Sequence, residues 1–162
     1  MSTTQRVWSG IATGLFGLAT IGALSGGTTP VSASTLASDS EPPARTTVTV
    51  TDVLDGDTFV ADGRQVHVLG IDSCPVSTRG GQEALQMADA MLAGHRVTLR
   101  AQAGVDQDAS GRLLRYVDLA NDGDYGDFMV TYAHTGADAA GGASRNYVAS
   151  LRDDDPNGRS CS

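Results

Sequence analysis

The sequence contains no lysine and only two glutamates, Glu41 and Glu83, although it carries 19 acidic side chains. All 11 basic residues are therefore arginines. The formal net charge of −8 at pH 7 excludes a chain-wide attraction to polyanions. Any phosphate binding must rely on a local group of arginines, whose planar forks suit phosphate oxygens, or on a bound cation.

The chain also lacks an apolar run as long as the roughly 20 residues that span a bilayer as a helix. The run Ile11–Leu24 follows one basic residue, Arg6, and precedes the small residues Val31–Ala33. This order is typical of a secretory signal, so we predict a signal peptide over 1–33. We expect a secreted protein without stable membrane association after cleavage; a retained membrane anchor is the alternative.

Cysteine is equally scarce, because Cys74 and Cys161 are the only two. An even pair in an exported chain indicates a disulfide, which would hold the C-terminal tail beside Asp72. Unpaired thiols and intermolecular pairing are the alternatives.

The segment Ser34–Arg45 is rich in serine and proline and has no periodicity, so we predict a flexible linker over 34–45. The remaining residues, 46–162, are enough for one domain with a single core. We expect this domain to be a monomer.

Short β-branched segments separated by turn residues predict five strands. Asp62-Gly63, between the second and third of them, is a strong hairpin signal. An apolar stripe at helical spacing predicts a helix over Ser77–Ala93. The predicted strands are Thr46–Leu54, Thr58–Ala61, Gln65–Ile71, Arg96–Arg100 and Leu113–Leu119, and a short helix is predicted over Asn146–Arg152.

This order of elements predicts a mainly β fold with helices. Five short strands with a helix after the third fit a five-stranded OB-type barrel better than a sandwich, with a short C-terminal helix completing the domain.

Three aspartates, Asp55, Asp57 and Asp72, are predicted to lie at the ends of paired strands. Carboxylates together with a backbone carbonyl form a hard-oxygen site that suits calcium. Strict alternation would place His67 and Asp72 on opposite faces, but a bulge at Gly70 would bring them to the same pocket. The alternative is that these aspartates are only solvated turn residues.

Three ordered motifs in this domain resemble the staphylococcal nuclease (thermonuclease) family. They are Asp55–Thr58, Val68–Ser73 and Asp108–Leu114, with a hairpin between the first two and a helix before the third. The resemblance covers Thr46–Leu119. It implies calcium-dependent hydrolysis of phosphodiester bonds in DNA or RNA.

The resemblance also implies roles for individual residues. The metal ligands fall at Asp57, Asp72 and the carbonyl of Ser73, and a phosphate-binding arginine falls at Arg112. His67 stands at the position of the family's first active-site arginine.

The chain departs from the family at two positions. Histidine replaces arginine at position 67, and Pro75 replaces the glutamate that is the usual candidate for the general base. A lost base costs about 10²–10⁴-fold and a lost donor about 10²–10³-fold in rate, so weakened activity is expected. His67 and Glu83 are the candidates for a substitute base. The alternatives are a non-catalytic module that binds calcium, nucleic acid or protein, and a structural domain.

Overall fold

The computed structural model describes residues 44–121, 123–131, 134–155 and 158–162. They all belong to one compact unit, Asp39–Ser162. The predicted signal peptide, and the predicted linker as far as residue 43, lie outside the described residues. Within the described ranges, no helix has the length and apolar character needed to cross a membrane.

The described part of the chain contains seven strands, three α-helices and a 3₁₀ turn. In chain order they are β1 (Arg45–Val53), β2 (Thr58–Ala61), β3 (Arg64–Val68), β4 (Ile71–Ser73), α1 (Arg79–Leu92), β5 (Arg96–Arg100), β6 (Leu113–Asp118), α2 (Tyr125–Val130), β7 (Thr135–Ala137), the 3₁₀ turn (Ala140–Gly142) and α3 (Arg145–Asp154).

Five of these strands close into a barrel in the order β1-β2-β3-β6-β5. Neighbouring strands are antiparallel except β3 and β6, which run parallel. Helix α1 follows the third barrel strand, and α3 lies near the C-terminus. The predicted mainly β fold, a five-stranded OB-type barrel with helices, is therefore confirmed.

The hairpin between β2 and β3 forms at the predicted position. Ala61 pairs with Arg64, and the two turn residues Asp62 and Gly63 have φ of 49° and 72°. Positive φ at both central residues matches the twist of the flanking strands, which explains why Asp-Gly is favoured there.

The barrel core consists of apolar side chains that point inward from alternating strand positions. Phe59, Val66 and Val117 are fully buried there, and α1 covers the core with its own apolar face. Burying each large apolar side chain contributes about 1.5–3 kcal/mol, so this core is the main source of stability. The buried apolar residues of α1 are Ala84, Ala88 and Leu92.

The predicted third strand, Gln65–Ile71, is wrong in one respect. Strand β3 ends at Val68, and Gly70 turns the chain with φ of 95°. The next strand, β4, leaves the barrel and pairs with β7 in a separate two-stranded sheet. The glycine that predicted a bulge therefore breaks the strand instead.

The predicted disulfide between Cys74 and Cys161 is confirmed, with the two Cα atoms 5.3 Å apart. It joins residues separated by 87 positions and fastens the end of the chain beside β4. Gly80, in the first turn of α1, permits this approach. A Cβ atom there would lie 2.8 Å from the carbonyl oxygen of Ser160, which is closer than real contacts allow.

We expect Cys161→Ser to lower the free energy of unfolding by roughly 2–5 kcal/mol, because the unfolded chain then gains the freedom that the long loop closure removed. Urea unfolding followed by circular dichroism measures this change. Ser160→Ala is the matched control, since it leaves the disulfide and the Ser160 carbonyl in place. Equal stability of the parent protein with and without a thiol reductant would contradict the expectation.

Candidate functional site

The first part of the site is the turn between β1 and β2, where Asp57 is 5% exposed. Asp55 shapes this turn, because its Oδ1 accepts the backbone N–H of Asp57 at 2.9 Å. The buried hydroxyl of Tyr125, on α2, donates to the carbonyl of Gly56 at 2.7 Å. The turn is thus fixed from within and from a neighbouring helix.

Three groups hold the buried carboxylate of Asp57. The N–H of Ser73 donates to Oδ2 at 2.6 Å, the hydroxyl of Thr58 donates to Oδ1 at 2.9 Å, and Nδ1 of His67 lies 3.1 Å from Oδ1. Burial raises the pKa of Asp57, but the hydrogen bonds with His67, Ser73 and Asp55, together with the charge of His67, outweigh burial and lower it to about 2. Asp57 is therefore ionised at neutral pH.

Two basic side chains converge on the hydroxyl of Thr58. Nδ1 of His67 lies 3.2 Å from this oxygen, and Nη1 of Arg112 lies 3.3 Å from it. We call Asp57, Thr58, His67 and Arg112 the Thr58 cluster. The structure therefore brings together three of the residues predicted for the site, on the β1–β2 turn, on β3 and just before β6.

Asp108 sets the direction of Arg112. Its Oδ2 accepts from Nε of Arg112 at 2.6 Å, and its Oδ1 accepts the backbone N–H groups of Ser110 and Arg112. The motif Asp108–Leu114 is thus a turn in which one carboxylate caps the backbone and orients the guanidinium.

The other two predicted metal ligands, Asp72 and the carbonyl of Ser73, face a different partner. Nη1 of Arg159 donates to Oδ2 of Asp72 and lies 3.4 Å from the carbonyl oxygen of Ser73. Asp72 and Arg159 border a cavity of about 260 Å³. His67 and Asp72, which were expected to share a pocket, lie on different strands, β3 and β4, and their side chains have different partners.

Glu83, one candidate for a substitute base, lies on the exposed side of α1. Its carboxylate pairs with Arg79 at 2.9 Å and with Nε2 of His134 at 2.8 Å. Nδ1 of His134 in turn lies 2.8 Å from the carbonyl oxygen of Ser160. Glu83 thus pairs with Arg79 and His134, and its contacts within the described part of the chain do not include the Thr58 cluster.

Pro75, at the position of the family's glutamate, serves the start of α1. It is exposed, and its carbonyl accepts from both the N–H and the hydroxyl of Thr78, which is the N-cap residue of that helix. The residue is thus part of the helix entry.

Sequence reasoning missed Arg159 and His134 as parts of this region. A signal for Arg159 was present, because it stands two residues before Cys161 just as Asp72 stands two residues before Cys74. The predicted disulfide therefore already placed the two side chains near each other. His134 has no comparable signal in the sequence, since its partners come from α1 and from the tail.

Calcium takes six to eight oxygen ligands in proteins. Among the described residues, no group of three or more His, Cys, Asp and Glu side chains could hold a metal ion. The predicted set has two carboxylates, Asp57 and Asp72, and the Ser73 carbonyl, so water would supply the rest. The donor chemistry fits calcium, but Arg159 engages two of the three donors.

Comparison with known proteins adds no family assignment. No protein-family model matches the chain, and no curated protein matches it significantly.

Asp55 and Asp57, which lie in the same turn, differ in the pKa of their carboxyl groups. Burial and the nearby charge of Asp57 raise the pKa of Asp55 from 3.8 to about 6. Between about pH 4 and pH 7, the folded protein therefore binds a proton more readily at this carboxyl than the unfolded chain does, and the group adds stability as the pH falls.

We expect Asp55→Asn to remove this rise in stability on acidification. At pH 7 the variant should be more stable than the parent by about 1 kcal/mol, allowing for solvent screening of a partly exposed carboxyl. Urea unfolding in calcium-free buffer at several pH values between about 4 and 7 tests this. Asp89→Asn, on the exposed side of α1, is the control; a variant that keeps the parent's pH slope would refute the assignment.

Proposed function

We propose that this protein is a calcium-dependent nuclease that hydrolyses phosphodiester bonds of DNA or RNA, with turnover slower than a complete active site would give. The observation that carries this proposal is the Thr58 cluster. Two basic side chains converge on one hydroxyl beside a buried, ionised carboxylate. Such an arrangement suits an anion on the basic side and a cation on the acidic side.

Arg112 would bind the phosphate. Asp108 holds its Nε, so the guanidinium keeps one orientation, and Nη1 reaches the cluster. A pre-oriented guanidinium offers two parallel donors to phosphate oxygens and loses little freedom on binding. It can therefore stabilise charge that builds up on the phosphate during hydrolysis.

Asp57, Asp72 and the carbonyl of Ser73 would hold the calcium ion. When bound, calcium neutralises charge on a phosphate oxygen and favours ionisation of water. The low pKa of Asp57 keeps one of these ligands available as a carboxylate at neutral pH.

His67 is the basic group in the cluster that can accept a proton. Asp57 orients the ring through Nδ1, and the side chain is 24% exposed, so the imidazole is held in place but remains accessible. Since Pro75 cannot accept a proton, we propose that His67 serves this purpose and that the reaction is slow.

We also propose that the protein acts outside the cell. The Cys74–Cys161 disulfide supports this, because such bonds persist in oxidising compartments. Calcium is abundant in extracellular fluid, where even weak oxygen sites are filled.

A non-catalytic module that binds calcium or nucleic acid is the second candidate. The contact of Arg159 with Asp72 and Ser73 favours it, because this guanidinium engages two of the three predicted metal ligands. The two candidates differ in turnover and share the binding surface.

The test is cleavage of single-stranded DNA and RNA oligonucleotides by the purified protein, with calcium and with a chelator. Asp57→Ala and Arg112→Ala should each reduce calcium-dependent cleavage about 10²–10³-fold, because each removes a group that stabilises the transition state. Arg152→Ala, on the exposed side of α3, removes an arginine away from the cluster and should keep the parent's rate.

Binding of the same oligonucleotides, measured by fluorescence anisotropy, separates the two candidates. Parent protein that binds in an Arg112-dependent manner without cutting would support the non-catalytic module. Parent protein that neither cuts nor binds would refute both.

A further inference from the structure

The C-terminal tail, Gly158–Ser162, lies against the two predicted metal ligands at the end of β4. Arg159 contacts Asp72 and the Ser73 carbonyl, and Cys161 is bonded to Cys74. The tail therefore contacts residues 72–74 in two ways, through the guanidinium of Arg159 and through the disulfide.

Gly158 and Ser160, the sequence neighbours of Arg159, hold the tail in place through hydrogen bonds. The backbone N–H of Gly158 donates to Oδ1 of Asp155 at 2.7 Å, and the carbonyl of Ser160 lies 2.8 Å from Nδ1 of His134. Gly136, on β7, permits close packing, since a Cβ there would lie 3.1 Å from Cβ of Arg159. The position of Arg159 thus follows from the fold of the tail.

A guanidinium and a calcium ion compete for the same donors. Both are cations that seek carboxylate and carbonyl oxygens, and Arg159 already uses Oδ2 of Asp72 and the oxygen of Ser73. If both cations occupied this place, they would repel each other at short range. Calcium binding there therefore requires that Arg159 move away.

We propose that the C-terminal tail competes with calcium for its ligands. The guanidinium of Arg159 occupies the cation position at Asp72 and the Ser73 carbonyl. Calcium binds at full strength only when the Arg159 side chain has left these residues, while Cys161 stays bonded to Cys74. The proposal rests on the proposed function for the identity of the metal site, and it names the device that regulates that site.

Calcium at extracellular levels can compete with the contact between Arg159 and Asp72. The ion pair is open to solvent, with Asp72 46% and Arg159 40% exposed, so it is weak on its own. The disulfide holds Arg159 nearby, and a short tether gives an effective concentration of about millimolar. Extracellular calcium modules have Kd values of about 10⁻⁴–10⁻³ M, so calcium at such levels can displace the tail.

Calcium titration of the purified full chain by isothermal calorimetry tests the proposal. A tail that is docked nine-tenths of the time lowers the apparent affinity about tenfold, so Arg159→Gln should bind calcium about tenfold more tightly than the parent. Arg152→Gln makes the same change in net charge on the exposed side of α3 and should bind like the parent.

Cys161→Ser separates competition from a simple loss of local positive charge. This variant keeps every charge but unties the tail, so its calcium affinity should also rise, by severalfold. Circular dichroism tests whether Cys161→Ser is folded. If it is not, Arg159→Gln still tests the proposal, because that variant keeps the disulfide. Adding Asp72→Asn to Arg159→Gln should abolish the gain.

A Kd for Arg159→Gln within twofold of that for Arg152→Gln would overturn the proposal, as would absence of calcium binding in every variant. Because the titration does not measure activity, the two proposals fail separately. A tenfold gain in calcium affinity without oligonucleotide cleavage supports the competing tail and refutes the proposed nuclease. Calcium-dependent cleavage, with equal calcium affinities for Arg159→Gln and Arg152→Gln, supports the nuclease and refutes the competing tail.

Discussion

The rest of the site depends on the burial of one ionised carboxylate, that of Asp57. A buried charge is unfavourable by several kcal/mol unless hydrogen bonds and an opposite charge compensate it. Here the compensation comes from Thr58, from His67 on β3 and from the N–H of Ser73 on β4. Each of these groups must be in place for Asp57 to remain buried and ionised. The carboxylate therefore ties a barrel turn and a barrel strand to a strand outside the barrel.

The hydrogen bond from Ser73 extends this constraint to the end of the chain. Once the N–H of Ser73 is fixed on Asp57, its neighbours Asp72 and Cys74 have fixed positions as well. Cys74 is fully buried and bonded to Cys161, and Asp72 meets Arg159 of the same tail. A continuous series of contacts therefore runs from the buried charge through a short strand to the tail.

Much of this arrangement follows from local signals in the sequence. The Asp62-Gly63 turn has intrinsic φ preferences and the cysteine pair leaves few alternatives, so both were predictable. Strand β7 was not, because its three residues pair only with the equally short β4. The carboxylate of Asp72 was predicted to bind the metal. The cysteine spacing placed Arg159 near it, but their ion pair depends on how the tail folds back, which residue periodicity does not report.

Two residues near the proposed metal ligands act in the same electrostatic direction. Proline at position 75 removes a carboxylate that the resemblance would place near the cation, and Arg159 adds a permanent positive charge beside Asp72. Both changes weaken the attraction between the site and a divalent cation, since the interaction scales with the local charge. Meanwhile His67 and Arg112 converge on the hydroxyl of Thr58, where the proposed phosphate would bind. The site is thus better suited to an anion than to a divalent cation.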